Sequence, residues 1–307
     1  MKKRILVATH GDPVADAAVR VAGAIAKRQG DSVQVLAVLE PLPVFDAGFA
    51  PAIVPYDSFD RRRGEELMDR VRAQVLAATG SEHTWPIDVV VGSPAAEITK
   101  ASRASDVVLI VMGIGRHAPA DRLFGGETAL KVSRRAPVPV LAVAPGRDQL
   151  PRHAIVGADF SASSLEAARH AMRLLQSPAE ITLAHVRPAL DIPPVAVEEW
   201  QATYTRFVAE SFDKAIATLA APAGISVDTV TLAGDAAKVL LEFAAREHAD
   251  LIACGSHGHG FVERLLIGSV ATQLLRSANC SVLMVPAEVG ALEVEPELKA
   301  HLASQVA

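Results

Sequence analysis

Residues 255–269 read GSHGHGFVERLLIGS, with the form G-x2-G-x9-G-S set by Gly255, Gly258, Gly268 and Ser269. A short apolar run, 250–254, precedes them, and a helix-like run, 270–278, follows. Glycines after a strand let the backbone turn tightly and approach a ligand with no Cβ in the way. The second Gly-Ser stands where a helix should begin, so free N–H groups and the Ser269 hydroxyl can face an anion. No GK[ST] follows, so the loop lacks the lysine of a P-loop. Strand, glycine loop, helix, and then a last strand in Ser281-Val282-Leu283-Met284-Val285 predict an α/β phosphate cradle.

The same unit occurs twice. A shift of 142 residues places Gly92 on Gly234, Gly113 on Gly255, Arg122 on Arg264, Gly126 on Gly268 and Arg134 on Arg276, with no gap from Gly92 to Val143. Nearer the start a shift of 150 sets Arg4-Ile5-Leu6-Val7-Ala8 against Ala154-Ile155-Val156-Gly157-Ala158. Strands are expected near 3–9, 32–39, 87–91, 106–112 and 138–144, and again near 153–158, 180–186, 226–232, 250–254 and 280–285. Helical segments between them imply βαβ units, a doubly wound parallel sheet, and ligands at the carboxyl ends of the strands. The join at 144–151 has the Pro, Gly and charge of a linker.

GSHG, nine residues, then GSV resembles the nucleotide loop of the universal stress protein family, and the resemblance covers nearly the whole chain in two copies. It implies two Rossmann-like five-stranded parallel sheets with strand order 3-2-1-4-5. The expected units are 1–146, with a degenerate motif, 151–288, with the intact motif, and a tail at 289–307. The implied ligand is ATP or another adenine nucleotide, with or without Mg2+. The implied nucleotide-binding positions are Ala158, Asp159, Val186, Gly255, Ser256, His257, Gly258, Gly268, Ser269 and Val270. Single-domain members pair through the last strand, so the two copies are expected to form an intramolecular pseudo-dimer through 138–143 and 282–285. Physically, these are apolar edges that would otherwise invite uncontrolled pairing. Pro137 and Pro139 should centre the contact on 140–143. A homodimer of the tandem chain and a regulatory protein partner are further expected associations.

Several of these residues have a second reading. Asp159, ending the first strand of copy two, can accept from ribose or adenine, or cap a helix together with Ser161 or Ser163. Val186 fits a backbone contact to adenine or an ordinary core. Cys254, His257 and His259 are too crowded in sequence for a zinc site, which draws on a second distant pair of ligands. Arg264 can reach a phosphate or face solvent. Gly113-x-Gly115-x2-Ala118 mimics a dinucleotide fingerprint but sits on the fourth strand and is followed by Pro119. The triplet Arg61-Arg62-Arg63 suits a solvated helix face.

Copy one departs from the pattern at three positions. Thr9 is aligned with Asp159, Arg116 with Gly258 and Glu127 with Ser269. A carboxylate at the phosphate-binding helix start would repel phosphate, and Arg116 with Glu127 is expected to form an ion pair in its place. Copy one is therefore expected to be free of nucleotide.

Half of the 307 residues are apolar and only 4% aromatic, as suits strands buried on both faces against Ala-rich helices. Net charge is −5; residues 1–150 carry 19 basic and 17 acidic groups and 151–307 carry 11 and 18. That balance argues against non-specific nucleic-acid binding. Cys254 and Cys280 fall at opposite ends of neighbouring strands, too far apart to bridge. The apolar run after MKKR ends at Thr9, too early for a leader, and the longest, 107–112, is too short for a membrane span; a cytoplasmic protein with no membrane partner is expected. No nucleophile–base pair or carboxylate cluster is evident, so regulation by nucleotide occupancy is the leading expectation. A slow ATPase or nucleotidyl-transfer enzyme, or an adaptor with both sites vestigial, are the alternatives.

Overall fold

The structure is a computed structural model that describes residues 2–41, 56–80, 85–115, 125–187, 197–256 and 268–286. The first half runs β1 (Arg4–Ala8), a 3-10 turn (Pro13–Ala15), α1 (Asp16–Gln29), β2 (Ser32–Leu39), α2 (Tyr56–Thr79) and β3 (Ile87–Val91). It continues with α3 (Pro94–Ala101), β4 (Val107–Gly113), α4 (Gly125–Ser133) and β5 (Val140–Val143). The second half repeats this as β6 (His153–Gly157), α5 (Ala162–Leu174), β7 (Ala179–Arg187), α6 (Val197–Leu219) and β8 (Ile225–Ala233). It closes with α7 (Ala236–Arg246), β9 (Leu251–Gly255), α8 (Ser269–Ser277) and β10 (Ser281–Val285). Tail residues 289–307 lie outside the described residues.

Strand order is β3-β2-β1-β4-β5-β10-β9-β6-β7-β8, so each half has the expected 3-2-1-4-5 order. The two five-stranded parallel sheets join into one ten-stranded mixed sheet. The join is an antiparallel ladder pairing Val140 with Met284, Leu141 with Leu283 and Ala142 with Val282. The pseudo-dimer thus centres within 140–143, downstream of the prolines.

Central strands are apolar on both faces because both faces are covered. Ile5, Leu6 and Val7 are fully buried, each contributing roughly 2 kcal/mol by area removed from water. Ile5, Val7, Ala154, Val156 and Leu283 belong to one core under α1 and α5. Leu6, Ile155, Val140 and Met284 belong to the core on the other face. Each core contains residues of both halves. Local signals set the helix ends: α1 stops at Gly30, which takes φ 72, while Ser161 caps α5 by accepting from the Ser164 N–H at 3.2 Å. Edge strand β8 mixes partly buried and exposed residues, and none of its residues is buried.

Polar contacts also bind the halves. Arg147 pairs with Asp250 at 2.8 Å, and Asp250 accepts from the backbone N–H of Arg152 and His153. Arg20 pairs with Asp148 at 2.8 Å. Arg28 donates to the carbonyls of Leu175 and Arg173.

The ladders correct one alignment. Ile5 pairs with Val33 and Leu109, and Ala154 pairs with Ile181 and Leu251. The gapless shift of 142 already equates Leu109 with Leu251, so Ile5 corresponds to Ala154, a shift of 149 rather than 150. His10, not Thr9, is therefore the counterpart of Asp159. Gly11 (φ 76) then matches Phe160 (φ 63). Asp12, which caps the 3-10 turn through Ala15 N–H, matches Ser161. A strand buried on both faces carries no period-two signal, so sliding it by one residue leaves its apolar pattern unchanged.

Candidate functional site

In the second half, the carboxyl ends of β6, β7 and β9 and the start of α8 enclose a crevice of about 250 Å3. Ala184, Val186 and Leu240 give it apolar walls, while Asp159, Ser163, Ser256 and Ser269 supply polar groups. Such a crevice at the switch point between β6 and β9 follows from the strand order.

Its β6 side is a tight turn. The Ala158 N–H donates to Ala184 O at 2.9 Å, extending the β6–β7 ladder by one bond. Asp159 Oδ1 accepts from Ser161 N–H at 3.0 Å and from Ser161 Oγ at 2.5 Å. The carboxylate therefore braces the turn before α5, while its position remains on the crevice wall. Phe160 takes φ 63, a region costly for a side chain with a Cβ. Its ring stacks on His185 at 4.7 Å and meets Phe212 edge-on at 5.1 Å.

His185 holds this turn from β7. Its Nδ1 lies 2.8 Å from Ala158 O and its Nε2 2.7 Å from the Tyr204 hydroxyl on α6. A carbonyl only accepts, so Nδ1 carries the proton and Nε2 accepts from tyrosine. Burial pushes the His185 pKa down, against opposing effects of Ala158 O and Asp159, in keeping with the neutral ring. Burial likewise raises Tyr204.

The other wall is β9 and its loop. A Cβ on Gly255 would stand 2.8 Å from Ser163 Oγ and 3.0 Å from its Cβ, so the glycine admits the start of α5. Ser256 N–H donates to Val285 O at 2.8 Å, and Ser256 O accepts from Gly268 N–H at 3.0 Å. This second bond clasps the two ends of the glycine loop together. α8 starts at Ser269 with Gly268 as N-cap and no side-chain cap. Its first N–H groups have no intrahelical acceptor and a positive end of the helix dipole behind them. Burial raises the Cys254 thiol to about 12; it donates to Met284 Sδ at 3.4 Å, which leaves it no role as a nucleophile. Neither cysteine is in a disulfide, and both are buried.

Of the residues singled out in the sequence, Ala158, Asp159, Val186, Gly255, Ser256, Gly268, Ser269 and Val270 all line this crevice. His257, Gly258, His259 and Arg264 lie outside the described residues, as do Arg116, Ala118 and Arg122. Sequence reasoning missed Phe160, His185 and Tyr204; the only signal was an aromatic after Asp159 and a histidine before Val186. Among the described residues no group of three His, Cys, Asp or Glu is gathered for a metal.

The first half has its own crevice, about 410 Å3, walled by Leu36, Val38, Ile98 and Met112, with His10, Asp12 and Arg63 at its edges. Thr9 donates to Gln74 Oε1 at 2.6 Å and accepts from Gly11 N–H. Gln74 in turn donates to Asp12 O and Asp16 Oδ1, both at 2.6 Å. Gly113 and Gly115 serve packing: a Cβ on them would meet Val14 O at 2.9 Å and Val14 Cγ1 at 3.2 Å. Arg62 and Arg63 pair within α2 with Glu66 and Asp60. Glu127 pairs with Arg276 of α8, across the halves, at 2.7 Å, while its expected partner Arg116 lies outside the described residues.

The universal stress protein family model matches residues 1–144 and 151–286. The chain belongs to the universal stress protein family. It is 25% identical over 291 residues to a universal stress protein of Mycolicibacterium smegmatis, spanning 92% of this chain and 96% of that one. It is 32% identical over 142 residues to a universal stress protein of Methanocaldococcus jannaschii, spanning 45% of this chain and 84% of the relative. The crystal structure of a universal stress protein from Archaeoglobus fulgidus superposes with a TM-score of 0.62 at 20% identity, over 92% of this chain and 98% of that one. That likeness carries the tandem universal stress protein fold. Among the described residues no helix is long and apolar enough to cross a membrane.

Proposed function

We propose that the second-half crevice binds one adenine nucleotide, ATP foremost, and that its occupancy regulates which surface the protein offers to a partner. The observation that carries this reading is the Ser256–Gly268 clasp. It turns the end of β9 and the uncapped start of α8 toward the crevice that Asp159 also borders. The apolar slot between Val186, Ala184 and Leu240 suits a purine, the polar side near Asp159 suits a ribose, and the α8 start suits phosphate. Any Mg2+ would arrive with the phosphates, since the described residues gather no carboxylates for it.

The first half, 1–146, is free of nucleotide in this reading. The carboxylate of Glu127 stands at the start of α4, where phosphate would need a donor, and His10 replaces the acceptor Asp159. Mass spectrometry of the protein as purified, followed by calorimetric titration with ATP, tests the proposal. One site per chain, lost when Gly255 and Ser269 are both altered, is expected; two equivalent sites, or none, would overturn it.

A further inference from the structure

We infer that Arg134, in the first half, completes the anion end of the second-half crevice by reaching across the junction to phosphate at the start of α8. The inference rests on the nucleotide reading above and adds a residue to it from the other half of the molecule.

The ladder between β5 and β10 relates the halves by a pseudo-two-fold axis, because Leu141 pairs with Leu283, its own counterpart at the shift of 142. α4 and α8 are the matching helices, and they pack against each other across that axis. On one side of the axis, Arg276 near the end of α8 donates to Glu127 at the start of α4, 2.7 Å from Nη2 to Oε1. The mirrored pair is Arg134 and Ser269. Arg134 follows the last residue of α4 and keeps a helical bond from its N–H to Leu130 O at 3.1 Å, so its side chain leaves the same helical position as Arg276.

The two sides differ in the group that meets the arginine. Glu127 supplies an anion from within the chain. Serine carries no charge and is two atoms shorter, so the place of the Glu127 carboxylate is left to a ligand. Arg134 is exposed, and no carboxylate pairs with it among the described residues. None of the described residues lining the second-half crevice is Lys or Arg, so Arg134 adds a cation that these residues lack. Guanidinium matches phosphate oxygens with two parallel N–H donors. The molecule thus displays the contact twice, satisfied internally by Glu127 in one half and open to phosphate in the other.

Calorimetry of the full chain with ATP and with adenosine, for wild type, Arg134→Ala and Arg134→Lys, tests this. Arg134 is a surface residue, so the fold should survive, checked by circular dichroism. Expected is a loss of ATP affinity of ~10-fold or more in Arg134→Ala, a smaller loss in Arg134→Lys, and unchanged adenosine affinity. Equal ATP affinity in wild type and Arg134→Ala would overturn the inference while leaving the nucleotide reading intact. An equal loss for ATP and adenosine would overturn it too, marking a structural role. A wild-type protein that binds neither ligand would remove the nucleotide reading and this inference together.

Discussion

Leu141 on β5 faces Leu283 on β10, and each is the other's counterpart in the internal repeat. Both are almost fully buried, at 1% and 0% exposure, so the axis relating the halves runs through hydrocarbon. Leu141 and Leu283 lie in the same core as Ile5, Val7, Ala154 and Val156. A core shared in this way couples the halves energetically: opening one exposes apolar surface of the other.

Unfolding should therefore be one cooperative transition. Trp85 falls in the first half and Trp200 in the second, the only two tryptophans in the chain. Urea unfolding followed by fluorescence of the two single-tryptophan variants should give coincident midpoints. Leu141→Ala should lower stability by about 2–5 kcal/mol and move both midpoints alike. Separate midpoints, or a shift confined to Trp85, would show two independent units tethered by residues 145–151.

Importing the first half's residue should close the second site. In Ser269→Glu the new carboxylate stands at the start of α8 as Glu127 stands at the start of α4, within reach of Arg134. It repels phosphate and supplies Arg134 with an internal partner. ATP affinity should fall by orders of magnitude, while thermal stability stays within about 1 kcal/mol, since an exposed ion pair is worth little. Gly258→Arg, which likewise imports the first copy's residue, should act in the same direction. Ser269→Glu protein that stays folded and binds ATP nearly as tightly would show that phosphate does not sit at α8.

The strands were legible because apolar runs such as Val107–Gly113 are bounded by turn residues, and the positions at strand ends and helix starts then follow from topology. That is why Ala158, Val186, Gly255 and Ser269 meet in one crevice. Register was not legible: β1 is apolar on both faces, so Thr9 took the place that belongs to His10. Nor was the contact of Glu127 with Arg276, because Arg276 approaches through the fold across the repeat axis, 149 residues away in sequence. His185 and Tyr204 escaped for a related reason. One hydrogen bond between a strand and a helix leaves no periodic trace.

Phe160 holds a backbone conformation that its counterpart Gly11 adopts freely. Phe160→Ala loses the contacts to His185 and Phe212 and keeps the unfavourable φ, at a cost of about 3 kcal/mol. Phe160→Gly loses the same ring but relieves the backbone. The glycine variant should be the more stable of the two by about 1 kcal/mol, measured by urea unfolding. Glycine less stable than alanine at this position would mean that the turn before α5 is not strained.

Acid should weaken the fold before the carboxylates titrate. Burial lowers the pKa of His185 and of His170 from the ordinary 6.5, with Arg173 adding to the effect at His170. In the unfolded chain both histidines take a proton as pH falls through 6.5, whereas the folded protein resists. The unfolded state then binds more protons, so stability declines as pH drops from 6.5 toward the lowered folded values and is restored above 6.5. His185→Gln retains a side-chain N–H donor for Ala158 O and cannot titrate, so its loss of stability between pH 7.5 and pH 5.5 should be smaller than that of wild type. Urea midpoints at the two pH values decide it. An identical decline in variant and wild type would mean that His185 has the same proton affinity folded and unfolded, and that burial does not hold the ring neutral.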